Sequence, residues 1–147
     1  MDRQAGHRVE GALVVNGLLI DTSALSGFFR GHLAVTRAVQ SSPYLFLNSV
    51  IYGETHCGYQ AGSARQRNEQ ALADFVQSAR VGILSISPET SLRYAQLWLH
   101  LRKAGRPIPD NDLWIAATAW EHGLTLLTLD RHFLNLPQIL VKHEPAV

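Results

Sequence analysis

Short apolar runs alternate along the chain with longer stretches in which apolar residues recur at helical spacing. Leu18-Leu19-Ile20 is continuous and apolar, and it stops at Asp21-Thr22-Ser23, three small polar residues suited to opening a helix. This predicts a buried strand feeding a helix that ends at Gly31. A second helical piece covers His32 to Ser42, Pro43 breaks it, and Tyr44 to Leu47 forms the next strand. Asn48 or Ser49 then caps a helix through Tyr59. Arg65 to Ala79 is helical, Gly82 to Ile86 is a short strand, and Pro88 suits the first turn of a long helix to about Lys103. Gly105 to Pro109 forces a loop. Asp110-Asn111-Asp112 opens a helix that Gly123 ends, followed by a strand at Leu124 to Thr128 and a last apolar run, Ile139-Leu140-Val141.

Strands that alternate with helices need crossover connections, and crossovers lay helices on the sheet. The pattern therefore predicts an α/β fold with a mostly parallel sheet covered on both faces. In such sheets ligands bind beyond the carboxyl ends of the strands. A chain of 147 residues is enough for one such domain and one core. Apolar residues at 46% against 17% charged exclude a disordered tail. The single cysteine, Cys57, cannot pair internally, no apolar run approaches the roughly 20 residues of a membrane span, and the first residues lack the order of a secretory signal. These features favour a cytoplasmic protein. A net charge of +1 excludes a protein that coats nucleic acid through overall charge, so any nucleic-acid contact is local.

Four carboxylates fall where the chemistry belongs. Asp21 ends the first strand and Asp130 stands two residues past a later one, at the same rim. Asp112 lies in the first turn of a helix whose Ile115, Ala116 and Ala119 face the sheet. Glu54 falls on the stripe of Ile51 and Gly58, where an unpaired carboxylate is costly. Converging acids repel one another, and a bound Mg²⁺ or Mn²⁺ removes that cost while matching hard oxygen ligands. Each acid also has a plainer reading. Asp21 is a helix N-cap, Asp112 a first-turn charge against the helix dipole, Asp130 a turn initiator, and Glu54 the partner of an arginine. Asp110 reads as the cap of its helix rather than a ligand.

The motifs resemble those of the PIN domains, and within them the VapC-type toxins. Leu19-Ile20-Asp21-Thr22-Ser23 is similar to the family's opening strand and first acid, and Ser49 to Glu54 with Gly58 to its second motif. Asn111-Asp112-Leu113-Trp114-Ile115-Ala116-Ala117-Thr118-Ala119 resembles the third, and Leu127-Thr128-Leu129-Asp130-Arg131-His132-Phe133 the fourth. The resemblance runs from about Leu18 to Val141. It implies a three-layer α/β/α sandwich and Mg²⁺- or Mn²⁺-dependent hydrolysis of RNA phosphodiester bonds. Asp21, Glu54, Asp112 and Asp130 would be both the metal ligands and the catalytic acids, with Thr128 supporting them. It further implies a toxin of a toxin–antitoxin pair, with an RNA substrate, a cognate VapB-type antitoxin and a homodimeric state. Met1 to Gly17 precede the family's usual start, as an extension that is disordered or follows from too early a start codon, and residues 18–147 form the nuclease domain.

Arg102, Lys103, Arg106 and Arg131 lie near the rim, with His132 beside the last of them, as candidates to hold RNA phosphates; ordinary surface charges are the alternative. Trp98, Trp114 and Trp120 suit cores or interfaces better than base stacking. Tyr52, Tyr59, Trp98 and Leu101 either line a groove for a folding-on-binding partner or complete the core or a homodimer interface. A catalytically inactive PIN-like module that binds RNA or protein is the alternative function. A dehalogenase-like phosphatase would need an aspartate two positions after Asp21, where Ser23 stands.

Overall fold

A computed structural model describes residues 17–146 in full, together with the backbone of His7–Val9 and Ala12–Val14. Those two segments pair as antiparallel strands β1 and β2. The expectation for the extension through Gly17 otherwise falls outside the described residues.

The main sheet has five parallel strands: β3 (Gly17–Ile20), β4 (Tyr44–Asn48), β5 (Val81–Leu84), β6 (Thr125–Thr128) and β7 (Leu140–His143). Their order is β5-β4-β3-β6-β7. Between them run α1 (Thr22–Phe29), α2 (Leu33–Ser41), α3 (Ser49–Ala61), α4 (Arg65–Gln77), α5 (Pro88–Ala104) and α6 (Asp110–His122), and a short 3₁₀ helix covers Arg131–Asn135. Among the described residues, six helices flank this all-parallel sheet and give the expected α/β/α sandwich.

Local chemistry explains the boundaries. Asn48 caps α3 by accepting the Ile51 N–H at 2.9 Å, and its amide donates to the Thr118 hydroxyl at 2.9 Å, which ties α3 to α6 inside the core. Ser87 and Thr90 form a reciprocal capping box at the start of α5, with Pro88 in the first turn. Gly105 and Gly123 end α5 and α6 in the left-handed region, at φ of 66° and 63°. The core gathers Leu19, Ile20, Leu45, Leu47, Leu126 and Leu127 from the strands and Leu25, Ile51, Leu97, Ile115 and Phe133 from the helices.

The strand order positions the site. From the carboxyl end of β3 the chain leaves toward β4, whereas from β6 it leaves toward β7 on the other side. Neighbouring strands whose connections diverge open a crevice at their carboxyl ends. Asp21 follows β3 and Asp130 follows β6, so both stand at that crevice.

Candidate active site

Asp21 is 3% exposed and makes three hydrogen bonds. Its Oδ1 accepts the Ala24 N–H at 2.8 Å and the Ser23 hydroxyl at 2.7 Å, while Oδ2 accepts the Thr128 hydroxyl at 2.5 Å. It is therefore the N-cap of α1, and it also stands at the crevice; the two readings share one side chain. Burial pushes its pKa up, against the pull of these hydrogen bonds, and the charge of Asp112 adds to the rise.

Glu54 projects from α3, half-buried. The Thr22 hydroxyl donates to Oε1 at 2.6 Å and the Asn111 amide to Oε2 at 3.1 Å. No arginine pairs with it among the described residues. The expected stripe also holds only in part, since Ile51 is buried but Gly58 is exposed beside an open cleft. Neutral donors, rather than a counter-ion, orient this carboxylate.

Asp112 occupies the third position of α6, where the first turn points its carboxylate toward the crevice. Burial raises its pKa; His132 opposes the rise, and the charges of Glu54 and Asp130 add to it. Asp112 thus feels Glu54, Asp130 and His132 directly, and Asp21 feels Asp112. Asp130 caps the 3₁₀ helix, accepting the His132 N–H at 3.3 Å. The imidazole of His132 lies between two acids, with Nε2 2.9 Å from Asp112 Oδ2 and Nδ1 2.9 Å from Asp130 Oδ1. Nε2 is buried against the Asp112 carboxylate.

Asp112, Asp130 and His132 each bring one ligand atom within 4.8 Å of the others. Asp21 and Glu54 are not part of that tight group, but border it from β3 and α3. Thr128 is wholly buried and bridges the two strand-end acids, donating to Asp21 and accepting the Asp130 N–H at 2.9 Å.

Asp110, expected as the cap of α6, is its first helical residue. Pro109 occupies the cap position, no side chain caps the helix, and the Asp110 carboxylate instead accepts the Tyr94 hydroxyl at 3.1 Å. Among the basic candidates, Arg131 is exposed beside Asp130, and Arg106 donates to Asn135 at 3.1 Å. Arg102 lies 5.1 Å over the Trp98 ring in a cleft of about 350 Å³, and Lys103 is exposed. Trp114 stacks on Tyr94 with ring centroids 4.1 Å apart, Trp120 carries Arg93 at 4.8 Å, and Leu101 is core. Tyr59 lines the cleft beside Glu54, and Tyr52 packs against the core.

Sequence reasoning missed Thr22 and Asn111 as the donors that hold Glu54, and His132 as the group between two acids. Asn111 adjoins Asp112 and Thr22 adjoins Asp21, so a polar neighbour beside each acid was the available signal. His132 offered none, because its placement depends on the 3₁₀ turn.

Comparison with known proteins bears on this arrangement. Residues 18–138 match the model of the PIN domain family. Ribonuclease VapC4 of Mycobacterium tuberculosis is 34% identical over 92 residues, 63% of this chain and 71% of the relative. Among solved structures, VapBC2 of Rickettsia felis, bound to a DNA fragment from its promoter, superposes with a TM-score of 0.78 at 20% identity, over 87% of this chain and 98% of that one. VapBC-5 of Mycobacterium tuberculosis, a member of the VapBC family of toxin-antitoxin systems, gives 0.66 at 25% identity, over 88% and 98%. The chain belongs to the PIN domain family, in the branch of its VapC relatives. The likeness to the Rickettsia structure carries the fold alone.

Proposed function

We propose that this protein is a ribonuclease that hydrolyses RNA phosphodiester bonds with Mg²⁺ or Mn²⁺ at the acid group, and that it is the toxin of a pair with a VapB-type antitoxin. The observation that carries the reading is the half-buried Asp112, which meets the charges of Glu54 and Asp130 at the crevice of a PIN sheet. Such crowding raises carboxylate pKa values and is held in a fold where a cation offsets it.

The residues fit a hard divalent ion. Asp21, Glu54, Asp112 and Asp130 offer carboxylate oxygens, and His132, lying between two of them, marks where positive charge is favourable. When bound, the cation supplies Lewis acidity toward a phosphate oxygen and toward an attacking water. The protein's own groups fix the geometry. Ser23 and Thr128 lock Asp21, Thr22 and Asn111 orient Glu54, and the 3₁₀ turn places Asp130. None of these acids needs to become a covalent nucleophile. Arg131 lies beside Asp130 and can hold a phosphate flanking the cut; Arg102, Lys103 and Arg106 extend basic surface along α5 and the following loop.

The likeness to ribonuclease VapC4 supports the activity, and that to the toxin-antitoxin protein VapBC-5 supports the partner. The cleft of about 360 Å³ beside Glu54, lined by Thr22, Phe29, Arg30, Gly58 and Tyr59, is open and partly apolar, as a groove for a folding segment would be. Leu92, Trp98 and Leu99 are exposed along α5 and supply apolar surface for the expected homodimer. Among the described residues no helix is long and apolar enough to cross a membrane.

The test is an RNA-cleavage assay with protein freed of any partner. Cleavage that needs Mg²⁺ or Mn²⁺, stops in chelator and falls at least a hundredfold in Asp112→Asn supports the reading, and undiminished cleavage in the variant overturns it. Co-purification with the product of an adjacent small gene, with loss of cleavage in the complex, tests the antitoxin.

A further inference from the structure

Asp130 also borders an open cleft of about 510 Å³, lined besides by Ser23, Ser26, Arg30, Leu129, Arg131 and Ala146. Two guanidinium groups from separate elements, the C-cap of α1 and the first residue of the 3₁₀ helix, border this one space. Neither forms an ion pair among the described residues, whereas Arg65 and Arg93 are both paired. The hydroxyl of Ser26 accepts the Arg30 Nη1–H at 2.6 Å, which holds that guanidinium over the cleft. The Asp130 carboxylate at this border has its Oδ1 2.9 Å from His132 Nδ1.

The rim is also fixed. His32 is the N-cap of α2, with Nδ1 accepting the Val35 N–H at 3.2 Å, and this leaves Nε2 to donate to the Pro145 carbonyl at 2.7 Å. The Glu144 N–H donates to the Thr128 carbonyl at 3.0 Å. These two bonds set the segment that carries Ala146 along the cleft. In a protein whose net charge is +1, two arginines without an ion pair among the described residues concentrate positive charge at one cleft next to the acids, which overall charge does not explain.

Resting on the ribonuclease reading, we propose that Arg30 and Arg131 together hold a phosphodiester of the RNA chain next to the one that is cut, so that the strand leaves the acid group through this cleft. Planar guanidinium forks suit phosphate oxygens, and such contacts fix the register of a strand without reading its sequence. Arg30 also borders the Glu54 cleft, which Arg131 does not, so Arg131 is the more specific probe.

The experiment measures binding of a fluorescein-labelled short single-stranded RNA, by anisotropy across a salt series. The Asp112→Asn protein is used so that the probe is not cut. Adding Arg30→Gln or Arg131→Gln should each weaken binding several-fold and reduce the slope of log affinity against log salt by about 0.7, and the pair by about 1.4. Arg37→Gln, on α2 away from the cleft, should leave the slope unchanged. Unchanged slopes in both arginine variants, or an equal loss in Arg37→Gln, overturn the proposal. If slopes stay unchanged while the wild type still cleaves RNA, only this subsite falls. If the wild type neither binds nor cleaves RNA, the ribonuclease reading falls with it.

Discussion

Crowded carboxylates make metal binding visible as stability. Asp112 is half-buried and feels Glu54 and Asp130, and both burial and those charges disfavour its ionised form in the folded chain. A cation that binds the folded state alone adds RT ln(1 + [L]/Kd), about 2.7 kcal/mol at a hundredfold excess over Kd. Over 147 residues, an unfolding entropy of about 2.1 cal/mol/K per residue gives about 0.3 kcal/mol/K, so Tm should rise by about 9 °C. Calorimetry with and without saturating Mn²⁺ reads this directly. Asp112→Asn removes one charge from the group while nearly keeping its volume. It should be at least as stable as the wild type in chelator and should lose most of the Mn²⁺ shift. An equal shift in the variant, or none in the wild type, would refute the reasoning, because the acids would then not be held as a cation site.

Two further substitutions probe what holds the site. Thr128→Val keeps the buried shape but leaves Asp21 Oδ2 and the Asp130 N–H without their partner, so denaturant unfolding should show a loss of about 1–3 kcal/mol, and cleavage should fall with it. Gly17→Ala would bring a Cβ within 2.6 Å of Leu124 Cδ2 and 2.9 Å of Phe46 Cε2, so unfolding should show a loss of about 1–3 kcal/mol while the Mn²⁺ shift is retained.

The fold was legible because each apolar run was short, bounded by polar or breaking residues, and separated from the next by a helix. Leu18 to Ile20 and Tyr44 to Leu47 form strands of the sheet, as does the expected run Leu124 to Thr128 from Thr125 onward, and Gly123 and Pro88 end and begin helices where expected. Strand order was not legible, since periodicity says which residues are strands but not which neighbours they choose. The divergence of chain paths at β3 and β6, which gathers Asp21 and Asp130, is a property of that order. Capping chemistry misled at Asp110, where the preceding Pro109 takes the cap position and Tyr94 supplies a competing hydroxyl from α5. The donors on Glu54 come from α1 and α6, 32 and 57 residues away, and local pattern carries no trace of contacts at that separation. Arg30 escaped notice for the same reason, because its cleft is completed by residues that follow β6.

The central claim, that RNA hydrolysis occurs at these acids through a bound divalent cation, is tested most directly by titrating Mn²⁺ into metal-free protein. Bound Mn²⁺ is followed by loss of its electron paramagnetic resonance signal, and single-turnover RNA cleavage is measured on the same samples. The account predicts that cleavage rises in step with occupancy, and that Asp112→Asn loses both together. Cleavage that persists at zero occupancy, or full cleavage in a variant that no longer binds Mn²⁺, would contradict it.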